Sequence, residues 1–313
     1  MPLAAIPEPP GDAWPLGPLT VTYFALCVIV GILVAIAVTH YRYRNSGARP
    51  GQAGRNRAGR NRANQNRASR NLAGREGERP GVILDVAAWA VPFGLAGALL
   101  HAVLLEVRHD FARHSVLWHT AAEAVAAIGV PGAVALGTIG AWIACRRAGV
   151  PLGPLASAAA PGVAFGLAIG GLGHWWAQNF YGHPASWLLA VRIAPEHRVS
   201  GYENYTTFQP AFLYQSGWDL AVGLLLIWAI RRFALSGART FMLGAAAYGL
   251  GSLWVESVRI GPQPRLFGLP FDVWADLVIL VLATVMFLVT RPRTGPQRGL
   301  PLAAGKPSNV ISM

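Results

Sequence analysis

Cysteine is scarce in this chain of 313 residues, limited to Cys27 and Cys145 in separate apolar runs. Two isolated thiols exclude a disulfide scaffold and a structural zinc cluster. Charge is scarce as well: Asp, Glu, Lys and Arg make up 13% of the chain, about half the usual share of a soluble protein. Apolar residues reach 53% and the mean hydropathy is +0.40. An ordinary soluble enzyme is excluded, and so is disorder over most of the length. A Ser-His-Asp order, a metal-spaced His/Cys set, a P-loop and a dinucleotide fingerprint are also missing. What is present instead is a series of long apolar runs and eleven Trp, a residue that concentrates at membrane–water interfaces. Composition predicts an all-α integral membrane protein.

A net charge of +12 suggests a nucleic-acid partner until it is located. Between Arg42 and Arg79, eleven arginines against Glu76 and Glu78 account for +9 of it. Within that segment a period near five recurs, with Gly-Arg-Asn-Arg-Ala at 54–58 and again at 59–63. Such a composition builds no core, so residues 42–80 are expected to be a disordered cytoplasmic loop. A topology-setting linker is the plainest reading, followed by attachment to anionic lipids at roughly 1 kcal/mol per Arg. Without aromatic residues interleaved for base stacking, no nucleic-acid partner is expected.

A bilayer core needs about 20 mostly apolar residues per helix. Seven stretches qualify: 19–39, 82–105, 125–145, 152–175, 211–230, 241–258 and 273–290. The first, third, fifth and seventh are followed by Arg42 and Arg44, Arg146 and Arg147, Arg231 and Arg232, and Arg291 and Arg293. Positive charge stays cytoplasmic, so the expectation is seven crossings with the N-terminus outside and the C-terminus inside. The expected order is an extracytoplasmic tail to residue 18, a first helix ending by 41, the Arg-rich loop, helices two to seven across 81–290, and a cytoplasmic tail from 291. A polar segment near 176–210, with His183, Arg192, Glu196, His197, Arg198 and Glu203, reads as a small extracytoplasmic cap.

Three features at membrane depth resist explanation as packing alone. Gly170, Gly171 and Gly173 precede His174 at the end of the fourth stretch, which fits either close helix packing or an irregular turn. Tyr248, Ser252, Glu256 and Arg259 follow at i, i+4, i+8 and i+11 in the sixth, and therefore share one helical face. A membrane carboxylate costs roughly 2.5–3.5 kcal/mol on insertion scales and turns toward a partner or a cavity. Glu256 and Arg259 are spaced to pair with each other. His101 lies in the second stretch, where a structural role is the simpler reading.

Longer motifs carry a resemblance. Arg192-Ile193-Ala194-Pro195-Glu196-His197-Arg198, Gly201-Tyr202, and Thr207 through Gln215 (TFQPAFLYQ) resemble the prolipoprotein diacylglyceryl transferase family, particularly its actinobacterial form. Similarity extends to 132–137, to Ala141 through Arg147, to Trp254-Val255-Glu256-Ser257-Val258-Arg259, and to Phe267-Gly268-Leu269.

The resemblance implies transfer of a diacylglyceryl group from phosphatidylglycerol to the lipobox cysteine of a prolipoprotein in the bacterial plasma membrane. No metal or nucleotide cofactor is implied. On this basis Glu256, His101 and Tyr248 are candidate catalytic residues. Arg259, His174, Gly182, His183 and Arg192 are candidates for substrate binding. Several positions depart from the family pattern. Gly171 stands at the phosphate-binding Arg of the signature, His174 and Ala177 at its two Asn, and Asn179 at its Glu. Ser252, Ala98 and Thr22 also replace arginines, and Val125 stands where some members have His. A catalytically silent paralogue that binds phosphatidylglycerol or lipoprotein precursors is the second reading.

Overall fold

The structure is a computed structural model that describes residues 5–16, 19–45, 81–106, 130–233, 235, 237–261 and 265–290. The chain starts with a hairpin in which β1 (Ala13–Leu16) pairs antiparallel with β2 (Leu19–Thr22). The first helix, α1 (Tyr23–Asn45), therefore begins four residues later than hydropathy suggests and runs on through Arg42 and Arg44. Its start is fixed by Thr22, whose Oγ1 accepts the Ala25 N–H at 3.2 Å, an N-cap contact that satisfies an otherwise orphan donor. The remainder of the Arg-rich loop, 46–80, lies outside the described residues.

Among the described residues six further long helices follow: α2 (Val82–Glu106), α3 (Val130–Ala148), α4 (Leu152–Leu172), α6 (Ala211–Phe233), α7 (Ala238–Val258) and α8 (Phe271–Val289), with a single turn α5 (His174–Ala177) after α4. Five segments among the described residues are long and apolar enough to cross a membrane: Tyr23–Asn45, Val82–Leu100, Leu152–Ala177, Ala211–Phe233 and Phe271–Val289. The other two, α3 and α7, fall short of that apolarity. Helix α3 ends in Arg146 and Arg147, and α7 carries the polar stripe. The chain is an all-α membrane protein, and five of its described helices reach the apolarity of a crossing where seven stretches are expected to.

Without a hydrophobic force between helices in lipid, close packing depends on small residues. Helix α1 lies on α4, where a Cβ at Gly166 would stand 2.7 Å from the Gly31 carbonyl and one at Gly162 2.7 Å from that of Ala35. Helices α2 and α3 approach as closely, since a Cβ at Gly140 would lie 2.7 Å from the Trp89 carbonyl. Helices α4, α6 and α7 pack against one another, and α8 closes on α7. Arg146 and Arg147 lie over the Trp142 and Trp89 rings at 5.0 and 4.5 Å, near the end of α1 where Tyr43 and Leu155 join one apolar cluster.

At the opposite end, residues 178–210 fold over the bundle. Strands β3 (Val191–Arg192) and β4 (Thr207–Phe208) pair antiparallel, and a short 3-10 turn spans Pro195–His197. Tyr181, Val191, Ile193, Phe208, Phe212 and Ile260 form the core of this end. The Tyr181 hydroxyl donates to the His197 carbonyl at 2.6 Å and accepts from Val199 N–H at 2.9 Å. A last hairpin, β5 (Arg265–Leu266) with β6 (Leu269–Pro270), leads into α8.

Candidate functional site

The cap end of the bundle gathers the last turns of α4 and α7 and the first turns of α6 and α8. Regular 3.6-residue spacing brings Tyr248, Ser252 and Glu256 onto one face of α7, with Arg259 immediately after its last turn. That face turns into protein, since Ser252 is buried and the Glu256 side chain is 5% exposed.

Arg259 Nη1 donates to Glu256 Oε1 at 2.6 Å and reaches Asp272 Oδ2 on α8 at 3.4 Å. Its guanidinium also lies 4.4 Å from the centre of the Phe180 ring, a cation–π distance. On the other contact of Phe180 is His174, with ring centroids 5.0 Å apart. His174 Nδ1 hydrogen-bonds Asn179 Oδ1 at 2.7 Å and its ring packs on Phe24 of α1. Phe180 thus links His174 and Arg259, two candidates 85 positions apart in sequence.

The cap fixes Arg259 through its backbone. Gly182 forms an isolated bridge with Arg259, His183 N–H donates to the Val258 carbonyl at 3.1 Å, and Ile260 N–H donates to the Tyr181 carbonyl at 3.1 Å. A Cβ at Gly182 would stand 2.5 Å from the Val258 carbonyl, so the approach of the two chains requires glycine. The His183 side chain itself is exposed. Arg192 is also exposed, on β3, and its backbone N–H donates to Ile6. No described side-chain contact joins Arg192 to Arg259. In the same cap, the Gly201 N–H holds the Glu203 carboxyl below the usual carboxylate range, and burial pushes the Tyr181 phenol up.

Deeper along α7, buried Ser252 lies beside Tyr248 on its own helix and near Asp276 of α8. Facing them on α6 is Asp219, whose two oxygens accept from Gln215 Nε2 at 3.2 Å each. Asp219 and Asp276 are only 3% and 2% exposed. An apolar cleft between α4, α6, α7 and α8 starts at this level, with Asp219 and Tyr248 on its wall beside Leu167, Val222, Phe241 and Ile279. Among the described residues no three His, Cys, Asp or Glu side chains are grouped as metal ligands.

Glu256, Arg259, His174 and Gly182 therefore converge, directly or through Phe180, while Tyr248 lies two turns deeper on the same face of α7. His183 and Arg192 sit on the exposed cap. His101 lies in α2, which packs on α3, and its side chain is outside the described set. Sequence reasoning missed Asp219, Asp272, Asp276, Gln215 and Phe180. A signal existed for the aspartates, because a carboxylate inside an apolar helix is costly enough to demand a partner. At two of the arginine replacements the structure assigns a local role. Thr22 caps α1, and a Cβ at Gly171 would stand 2.6 Å from Ser216 Oγ of α6.

A family profile described as prolipoprotein diacylglyceryl transferase matches residues 62–289. A phosphatidylglycerol–prolipoprotein diacylglyceryl transferase of Streptomyces avermitilis is 34% identical over 306 residues, covering 95% of this chain and 78% of that protein. One from Streptomyces griseus is 36% identical over 298 residues, covering 93% and 79%. One from Frankia alni is 36% identical over 296 residues, covering 95% and 70%. The matched region contains every element that builds the cluster around Arg259 except α1, and on both the profile and its relatives this chain belongs to the prolipoprotein diacylglyceryl transferase family.

Proposed function

We propose that this chain transfers the diacylglyceryl group of phosphatidylglycerol to the lipobox cysteine thiol of prolipoproteins in the bacterial plasma membrane. The lipobox sulfur attacks the glyceryl carbon that carries the phosphate ester. An S–C bond forms, the C–O bond breaks, and glycerol phosphate leaves with the electron pair while the thiol proton goes to a base. The reaction therefore needs a proton acceptor and a cation at the leaving phosphate.

The observation that carries this reading is the Glu256–Arg259 pair, held at 2.6 Å against Phe180 in a chain of this family. In our assignment Arg259 and His174 meet the phosphate, and Glu256 or His101 takes the thiol proton. Tyr248 orients the lipid at the mouth of the apolar cleft. Gly182 lets the cap approach Arg259, and His183 and Arg192 on its exposed face meet the incoming lipobox segment. Basic helix ends at Arg42, Arg146 and Arg231 support seven crossings with the cap and the N-terminus outside the cell.

Complementation tests the proposal. In a strain depleted of its own transferase, expression of this chain restores lipid modification of a reporter lipoprotein, read as a mobility shift and by mass spectrometry. Unmodified reporter despite membrane-inserted protein refutes it.

A further inference from the structure

The polar cluster at the cap end of α6, α7 and α8 is rich in acceptors and poor in donors. Arg259 is its principal cation, and it is shared between Glu256 and Asp272. Asp219 and Asp276 add two carboxylates that are almost fully buried. Among the described residues, the hydrogen-bond donor to Asp219 is Gln215 Nε2, spread over both oxygens at 3.2 Å. A carboxylate offers about four lone-pair directions, so acceptor capacity is left over.

Two neighbouring groups on α6 point the same way. Ser216 is 6% exposed, and among the described residues its Oγ has no hydrogen-bond partner. That hydroxyl faces the side-chain-free position of Gly171 on α4. Gln215 Oε1 is likewise buried without a partner. Buried polar atoms without partners are uncommon in folded proteins and mark an unfilled role. Gln215, Ser216 and Asp219 occupy consecutive turns at the cap end of α6, and Asp219 lines the cleft shared with Tyr248.

We propose that Asp219, with Gln215 and Ser216, forms a subsite that reads the hydroxyl donors of a glycerol-type lipid headgroup. This rests on the transferase reading and deepens it, because headgroup selection here depends on hydroxyls rather than on phosphate charge alone. Hydroxyls donated to a carboxylate form the stronger, charge-assisted class of hydrogen bond.

The test uses the full chain in phosphatidylcholine nanodiscs, with binding of phosphatidylglycerol compared with that of phosphatidylmethanol. The second lipid carries the same phosphate charge and no headgroup hydroxyl. The native protein prefers phosphatidylglycerol by about tenfold or more, the low end for one hydrogen bond to a charged acceptor. Asp219→Asn and Ser216→Ala each reduce that preference while leaving phosphatidylmethanol binding unchanged, with thermal melting as the folding control. Equal binding of both lipids by the native protein overturns the proposal and needs no variant. A preference kept intact by both variants overturns it as well. Thioether formation on the same samples separates the two claims. A binding preference without product counts against transfer alone, and product formed equally from either lipid counts against the hydroxyl subsite alone.

Discussion

Replacing Arg259 with Gln removes a cation that contacts both Glu256 and Asp272. Glu256, with its side chain 5% exposed, loses a cation at 2.6 Å, and Asp272 loses one at 3.4 Å. Removing one partner of a buried pair costs about 3–5 kcal/mol, because the surviving charge stays in a low-dielectric setting. Arg259 keeps 19% side-chain exposure, which puts the expected loss near the lower end, about 3 kcal/mol. Glu256→Gln is milder, at about 1–2 kcal/mol, since Arg259 still reaches Asp272 and a neutral amide still accepts. In the double variant the neutral amides face each other, so the two losses do not add, and the coupling is about 1–2 kcal/mol. Denaturant unfolding in micelles reads the stability arm. Thioether formation from labelled phosphatidylglycerol and a lipobox peptide reads the catalytic arm. Each single variant loses about 10–100-fold in rate, the value of one transition-state contact to a charged group. The double variant loses about as much stability as Arg259→Gln alone and recovers no turnover. Strict additivity in unfolding, or native rates in either single variant, refutes this reasoning.

Two further outcomes follow from the cap. Gly182→Ala drives a Cβ to 2.5 Å from the Val258 carbonyl and loosens the strand-like pairing with Arg259, so turnover falls while the melt shifts by only a few degrees; an unchanged rate counts against a positioning role. Tyr181→Phe removes a hydroxyl bonded to His197 and Val199 and leaves a part-buried N–H without that acceptor, at about 1 kcal/mol. Limited proteolysis within 195–205 should then accelerate ahead of cleavage in the helices.

Much of the bundle is legible in the sequence because lipid simplifies the problem to length, apolarity and basic ends. The stripe Tyr248–Ser252–Glu256–Arg259 is readable from helical spacing, and the pairing of Glu256 with Arg259 from their three-residue separation. Neither principle extends to partners on other helices. Asp272 and Asp276 come from α8 and Asp219 from α6, and only the packing of glycines such as Gly249 against α8 brings them into register. Phe180 looks like an ordinary cap aromatic until the bridge between Gly182 and Arg259 lays it under the guanidinium. The start of α1 shows the reverse error. Leu19–Thr22 is apolar enough to read as helix, yet its pairing with Ala13–Leu16 and the Thr22 cap assign it to a hairpin. The arginine replacements are legible as absences, whereas the meeting of carboxylates from α6, α7 and α8 around the site is not.

The most direct measurement gives purified protein vesicles of labelled phosphatidylglycerol and a synthetic lipobox peptide, then determines the peptide's mass. A base-stable diacylglyceryl thioether on the cysteine, with stoichiometric glycerol phosphate in the aqueous phase, is the result this account predicts. Lipid bound by folded protein with the peptide mass unchanged contradicts it.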